Sequence, residues 1–242
     1  MSAVVPPIVP LELRTEAERL LMRYLQEVVE PFNFCPWAKA TRSREELWIE
    51  VAVSTSLATL AAQLGQFVRA SEPVVETADG TSPTGRTRPV ATIGMIVFAA
   101  SNMSSKKLLE VRDLLLAHAG VQEKLGAWPG LVIADFHPAA AEPDLRSPSR
   151  LLPFVRRSPD PMLQLARRTT IESVTRGGAN MIEPSEQLAA LIGHKTLIGQ
   201  STADEIASRN HETMRAQAAD VQAISNDIAR DRAETYLRLG LL

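Results

Sequence analysis

The chain contains one cysteine, Cys35, inside the segment VVEPFNFCPWA at Val28–Ala38. Pro36 fixes the backbone beside the sulfur and removes one amide donor, so the Cys-Pro step can present its sulfur outward. Three chemistries suit such a thiol. It can be a nucleophile or redox centre, which requires a cation, an imidazole or a helix N-terminus nearby to form the thiolate. It can be a ligand to a metal or a haem iron. It can also be a packed small hydrophobe, the usual condition of a non-disulfide cysteine. The closest cation along the chain is Lys39. Trp37 adds an aromatic surface against which a substrate can lie.

The second candidate is His137, at the end of the apolar run PGLVIADFH (Pro129–His137). Residues two apart on a strand share a face, so Asp135 and His137 point the same way and Phe136 the other. A carboxylate beside an imidazole fixes its tautomer and raises its basicity. The C-terminal ends of strands are where open α/β sheets place their sites. The competing reading is a histidine that caps the strand end through backbone hydrogen bonds. His118, His194 and His211 carry weaker signals, no two histidines have metal-ligand spacing, and one cysteine makes no zinc motif.

The third feature is basic. Arg146, Arg150, Arg156, Arg157, Arg167, Arg168 and Arg176 share one stretch, opposed within it only by Asp160 and Glu172. Guanidinium forks bind carboxylate or phosphate with two parallel hydrogen bonds. The turn RRSPDP at Arg156–Pro161 makes Arg157 the candidate anchor for a carboxylate, with Arg156 assisting. A solvated face with salt bridges is the alternative.

Composition narrows the classes. The 242 residues are 45% apolar and 22% charged with a net charge of −2, as in an ordinary globular protein. The balanced charge argues against nucleic acid as a partner. The longest apolar run, Ile93–Ala100, is far shorter than the roughly 20 residues of a membrane span. The N-terminal MSAVVPPIVPLEL lacks a basic region and is broken by three prolines, unlike a signal peptide. A single cysteine fits a reducing compartment, so a cytoplasmic protein is expected. Walker loops, dinucleotide glycine patterns, nucleophile elbows and metalloprotease helices are absent.

The elements that position these residues follow from periodicity. Residues 1–14 read as an extended arm. Thr15 with Glu18 forms a capping box for a helix carrying Leu20, Leu21, Tyr24, Leu25 and Val28, stopped by Pro31. Leu47–Val53 alternates as a strand. Ser54–Ser56 caps a helix to about Ala70. Residues 72–89 read as a mobile loop. Val90–Ala100 is a buried strand, and Ser104 or Ser105 caps a helix to His118 or Leu125. Asp160-Pro161 reads as an N-cap and first helical position, with that helix ending at Gly177-Gly178. A short helix is expected over Ser185–His194. Thr202 with Glu205 opens a long last helix to Arg238. Its thin stripe of Ile206, Met214, Val221, Ile224, Ile228 and Tyr236 can pack on the domain or on a second copy.

Three motifs resemble the bacterial family catalogued as domain of unknown function 1415: VVEPFNFCPWA, Phe136-His137-Pro138, and RRSPDPMLQLARRTTIESV at Arg156–Val174. The family pattern in the third reads Asn-Arg-Ser-Pro-Tyr-Pro, followed by a Leu-His-Leu-Leu-Arg-Glu helix. Arg157, Ser158, Pro159 and Pro161 match it. Arg156 takes the asparagine's place, Asp160 the tyrosine's, Gln164 the histidine's and Arg168 the glutamate's. A tyrosine expected after Pro138 falls at Ala140. The resemblance implies a divergent member retaining Cys35, His137 and Arg157, and it implies no particular reaction.

The expectation is therefore an α/β fold: a small mixed sheet of three to four strands covered by helices. Residues 1–14 form an arm, 15–200 the α/β domain and 201–242 a C-terminal helical extension. The favoured function is an enzyme acting on a small anionic metabolite or peptide. Cys35 serves as nucleophile or redox thiol, and His137, oriented by Asp135, as general acid or base. Arg157 and Arg156 hold a carboxylate. The alternatives are a haem protein with Cys35 as thiolate ligand and His137 opposite, and a non-catalytic assembly protein, a homodimer through the last helix.

Overall fold

The computed structural model of the chain describes residues 8–35, 38–72, 90–139, 151–168 and 200–242, with backbone alone for 152, 153 and 200–209. Its elements in order are helix α1 (Leu11–Tyr24), a π-helical turn (Leu25–Val29), α2 (Ala38–Ser43), β1 (Leu47–Val51), α3 (Leu57–Ala70), β2 (Ile93–Val97), α4 (Ser105–Lys124), β3 (Leu131–Phe136), α5 (Leu152–Val155), β4 (Met162–Arg167) and α6 (Gln200–Arg238). The four strands form one mixed sheet in the order β1-β2-β4-β3. β1 and β2 run parallel, and β4 lies antiparallel between β2 and β3. The C-terminal ends of β2 and β3 therefore meet the start of β4 at one edge, where Met162 is paired with both Val97 and Phe136.

Strand alternation sorts side chains between two cores. Ile96, Ile133, Leu163 and Leu165 pack with Leu60, Leu64 and Phe67 of α3 and with Leu108 and Leu115 of α4. Met95, Val97, Ala134, Phe136, Met162 and Ala166 face the other way, against α1, the π turn and α6. The result is a sheet between two helical layers. Gly94 permits one close approach: a Cβ there would lie 2.7 Å from Cδ2 and 2.9 Å from Cε2 of Phe67. Gly94→Ala is expected to lower stability by about 1–3 kcal/mol through overpacking. Urea unfolding checks this, and Phe67→Leu in the same chain should restore part of the loss.

Both serine caps form as expected: the hydroxyls of Ser56 and Ser104 accept from the backbone N–H groups of Thr59 and Lys107. Two expectations change. Helix α1 starts at Leu11 and not at Thr15, because the buried stripe extends back through Ala17 to Leu13; the arm ends at Pro10, and Arg14 is helical. The helix expected from Asp160-Pro161 is instead strand β4, buried on both faces in the centre of the sheet. The expected helix end at Gly177-Gly178, the helix at Ser185–His194 and the loop at 73–89 lie outside the described residues.

Helix α6 bends at Gln217, whose φ of −135° is not helical. Met214, Val221, Ile228 and Tyr236 of its stripe are buried within the chain's own core. The surface on which a dimer through this helix was expected is thus used inside one molecule. Polar contacts reinforce the docking: Asp231 accepts from Arg19 at 2.7 and 2.8 Å and from Arg23 at 2.6 Å, and Asp227 accepts from Arg23 at 2.8 Å. The Arg19 hydrogen bonds, followed by those from Arg23, hold the Asp231 carboxyl well below the usual carboxylate range. A depressed folded-state value means this contribution is complete above the unfolded value and fades as pH falls below roughly 4. Protection factors along α6, taken relative to intrinsic exchange at each pH, should fall between pH 5 and pH 2.5, and Asp231→Asn should flatten that dependence.

Candidate functional site

Cys35 is placed by the chain reversal after α1. The backbone widens into the π turn, then closes through hydrogen bonds from Asn33 N to Glu30 O at 3.1 Å and from Phe34 N to Val29 O at 3.0 Å. Asn33 adopts φ 53°, the left-handed region that asparagine tolerates better than most residues. Phe32 and Phe34 stack with ring centroids 5.8 Å apart. This geometry returns Cys35, half-buried, beneath the sheet. There it borders an apolar pocket enclosing about 570 Å³ of empty space, counting its mouth. Val29, Phe34, Met95, Phe136 and Met162 supply apolar wall, and Thr41, Gln164 and the Tyr24 phenol are polar groups in the lining. The Tyr24 hydroxyl donates to Val155 O at 3.0 Å. Burial, and after it the neighbouring Cys35, raises the Tyr24 phenol above its usual range.

His137 stands elsewhere. Its Nδ1 accepts from the Ala139 amide at 3.0 Å, which leaves the ring proton on Nε2, donated to Met103 O at 2.7 Å. Both ring nitrogens are committed to backbone, so His137 is a strand-end cap. Asp135 does not orient it. The Asp135 carboxylate is paired with Arg112 of α4 and lies 3.8 Å from Nη1 of Arg156. Asp135 thus faces the α4 layer, and Met103, which holds His137, packs on that same layer. Cys35 faces the α1 layer. The sheet separates the thiol from the imidazole, and the expected Cys35–His137 site is not assembled. The haem arrangement with Cys35 and His137 opposed fails on the same geometry. Among the described residues, no group of three or more His, Cys, Asp or Glu side chains could hold a metal ion, and no helix is long and apolar enough to cross a membrane.

The arginines divide between the two ends of β4. Arg167 donates to Ser71 O at 3.0 Å and Arg168 lies 3.8 Å from Glu123 at one end; Arg156 and Arg157 stand at the other. Arg146, Arg150, Arg176 and Trp37 lie outside the described residues. Arg157 donates from Nε to Pro138 O at 3.2 Å. It lines a second, open cleft with Tyr24, Ser158, Ser225, Ile228 and Arg232, whose empty space is about 420 Å³ when the open mouth is counted. This cleft lies between the carboxyl edge of the sheet and α6.

Arg156 is the unusual group. It is 8% exposed, its guanidinium lies over Phe136 at 5.9 Å, and its Nε and Nη2 are buried without a hydrogen-bond partner among the described residues. Burial pushes its pKa down to about 10, against the favourable charge of Asp135. Nε and Nη2 form one edge of the guanidinium, with two parallel N–H donors that match the two oxygens of a carboxylate. Leaving them unpaired in the interior is costly.

Asp160 is a supporting residue and not a cap. Its buried carboxylate accepts from Arg232 Nε at 2.8 Å and from the Tyr236 hydroxyl at 2.6 Å. The backbone of Ala100, at φ 52°, also hydrogen-bonds to it. Tyr24 and Tyr236, which shape this corner, were read from the sequence only as apolar helix positions. Their hydroxyls are the signal: the chain has just two tyrosines, and a buried tyrosine calls for a partner. Compared with known proteins, the chain matches no family model, no curated protein and no solved structure.

Proposed function

We propose that the protein binds a small anionic molecule at the Arg156–Arg157 corner, on the carboxyl edge of the sheet. The observation that carries this reading is the unpaired Nε/Nη2 edge of Arg156, a buried cation whose donors have no acceptor of their own. Arg157 and Arg232 in the adjoining cleft add positive charge, and the Asp160 carboxylate behind them is already paired. The position agrees with the general placement of sites in open α/β sheets. The motif resemblance to domain of unknown function 1415 is retained as part of this proposal at Arg157 and Cys35. The single cysteine supports a reducing, cytoplasmic setting.

Titration calorimetry with acetate and with inorganic phosphate tests the reading. Binding of either by the native protein, weakened about 30-fold in Arg156→Met, is expected from the loss of roughly 2 kcal/mol of charge-assisted hydrogen bonding. Equal affinity in the two proteins would remove Arg156 from the site. The thiol in the pocket wall supports a second reading, an enzyme that uses Cys35 as nucleophile without His137 as its base. In that case Cys35→Ser abolishes turnover and leaves anion affinity unchanged.

A further inference from the structure

We infer that the anion is a phosphoryl group, free or carried on a small ester, held in the open cleft between the carboxyl edge of the sheet and α6. Arg157 meets it from the sheet side, and Arg232 with Ser225 from the helix side. The inference rests on the anion-binding reading above, and it names the ligand's class and the donors that meet it.

Three observations carry it. The first is room. About 90 Å³ of the cleft is open to the centres of water-sized molecules, against about 40 Å³ in the pocket beside Cys35. That holds several waters, or one anion of phosphate size. The second is the sign of the lining. Two arginines and three hydroxyl residues line the cleft, and no acid does among the described residues. Helix geometry makes this so: Ser225, Ile228, Ala229 and Arg232 follow i, i+3, i+4 spacing and share one face of α6. Asp227 and Asp231 lie off that face and accept from Arg19 and Arg23 of α1. The third is the state of the donors. The Tyr24 and Ser158 hydroxyls are committed to Val155 O and Asp160 O. Half-buried Arg157 donates only from Nε, to Pro138 O, which leaves both terminal nitrogens without a partner among the described residues. Arg232 gives Nε to Asp160 and Nη2 at 3.5 Å to Ser101 O, which leaves Nη1. Asp160 offsets the charge of Arg232, so Arg157 supplies the excess positive charge. Donors thus enter from two walls. A tetrahedral phosphoryl group points its oxygens in several directions and accepts from both. A planar carboxylate presents two oxygens along one edge, the match for a single guanidinium fork.

The experiment is calorimetry on the whole chain, at fixed chloride, with inorganic phosphate, methyl phosphate and acetate. Both phosphates should bind at least tenfold more tightly than acetate. Methyl phosphate binding more tightly than inorganic phosphate would assign an ester as the ligand, and the reverse order the free ion. Arg157→Gln should lower phosphate affinity at least tenfold, through loss of charge-assisted hydrogen bonds. Ser225→Ala, on the opposite wall, should lower it about threefold. Phosphate should also raise hydrogen-exchange protection in α6 around Ser225–Arg232, because the ligand joins that helix to the sheet. This last readout uses the native protein and decides the matter if a variant does not fold. Acetate bound as tightly as phosphate, phosphate affinity unmoved by Arg157→Gln, or phosphate binding without added protection in α6 would overturn this inference and leave the anion reading at Arg156 to its own test. If neither phosphate nor acetate binds, both readings fall.

Discussion

Asp160→Ala is expected to destabilise the fold by about 3–5 kcal/mol, the typical consequence of breaking a buried ion pair from one side. Asp160 is 1% exposed, and it joins the β4 corner to the last helix through Arg232 and Tyr236. Removing the carboxylate strands a guanidinium that is 15% exposed in its side chain and a tyrosine hydroxyl in the core. Arg232 keeps a long contact of 3.5 Å to Ser101 O and its place over the Tyr236 ring, 5.0 Å from the centroid. For a chain of this size the melting temperature should fall by on the order of 10 °C, with α6 losing exchange protection first. The double substitution Asp160→Ala/Arg232→Met should recover part of the loss, since the unpaired cation is then gone. A loss below about 1 kcal/mol would mean that solvent already reaches this pair and that α6 is held mainly by its apolar stripe.

The second expected result has opposite signs in two measurements. Arg156→Met should leave stability unchanged or raise it by about 1–2 kcal/mol, because a buried cation with unpaired donors is replaced by a well-packed apolar side chain. The depressed pKa of Arg156 has the same origin: burial disfavours its charged form. Asp135 keeps Arg112 as its partner, so the substitution strands no carboxylate. Anion affinity should fall about 30-fold, as argued for the site. Arg156→Lys should fail to restore it, since an ammonium cannot offer two parallel donors. Stability measured by urea unfolding that drops with Arg156→Met, together with unchanged anion affinity, would make Arg156 a structural residue only.

These expectations turn on contacts that the sequence displays unevenly. The caps at Ser56 and Ser104, the alternation in β1 and the apolar runs of β2 and β3 were readable because each depends on residues within a few positions of one another. The same locality misdirected the reading at Asp160-Pro161. An aspartate before a proline is a strong helix signal, but here the carboxylate belongs to Arg232 and Tyr236, more than seventy positions away. MLQLAR then pairs on both sides with β2 and β3. Buried on both faces, β4 shows no alternation, and Gln164 interrupts the continuous apolar run by which β2 could be recognised.

The candidate site divides along the same line. Cys35, Asp135, His137, Arg156 and Arg157 were visible as reactive types at suggestive places. Asp135 and His137 were also read correctly as sharing one side of β3, since side-chain period is a property of the strand itself. Which layer each side met was settled by the crossovers. α4 supplied Arg112 to one side, and α1 brought Cys35 to the other, so two residues predicted as partners were divided by the sheet. Composition and periodicity determined the class of fold, three of the four strands and the helices between them, because backbone geometry and burial act over short stretches of chain. The tertiary structure alone decided that Arg156 is buried with two donors unpaired among the described residues, because desolvation and pairing depend on neighbours that sequence distance does not report.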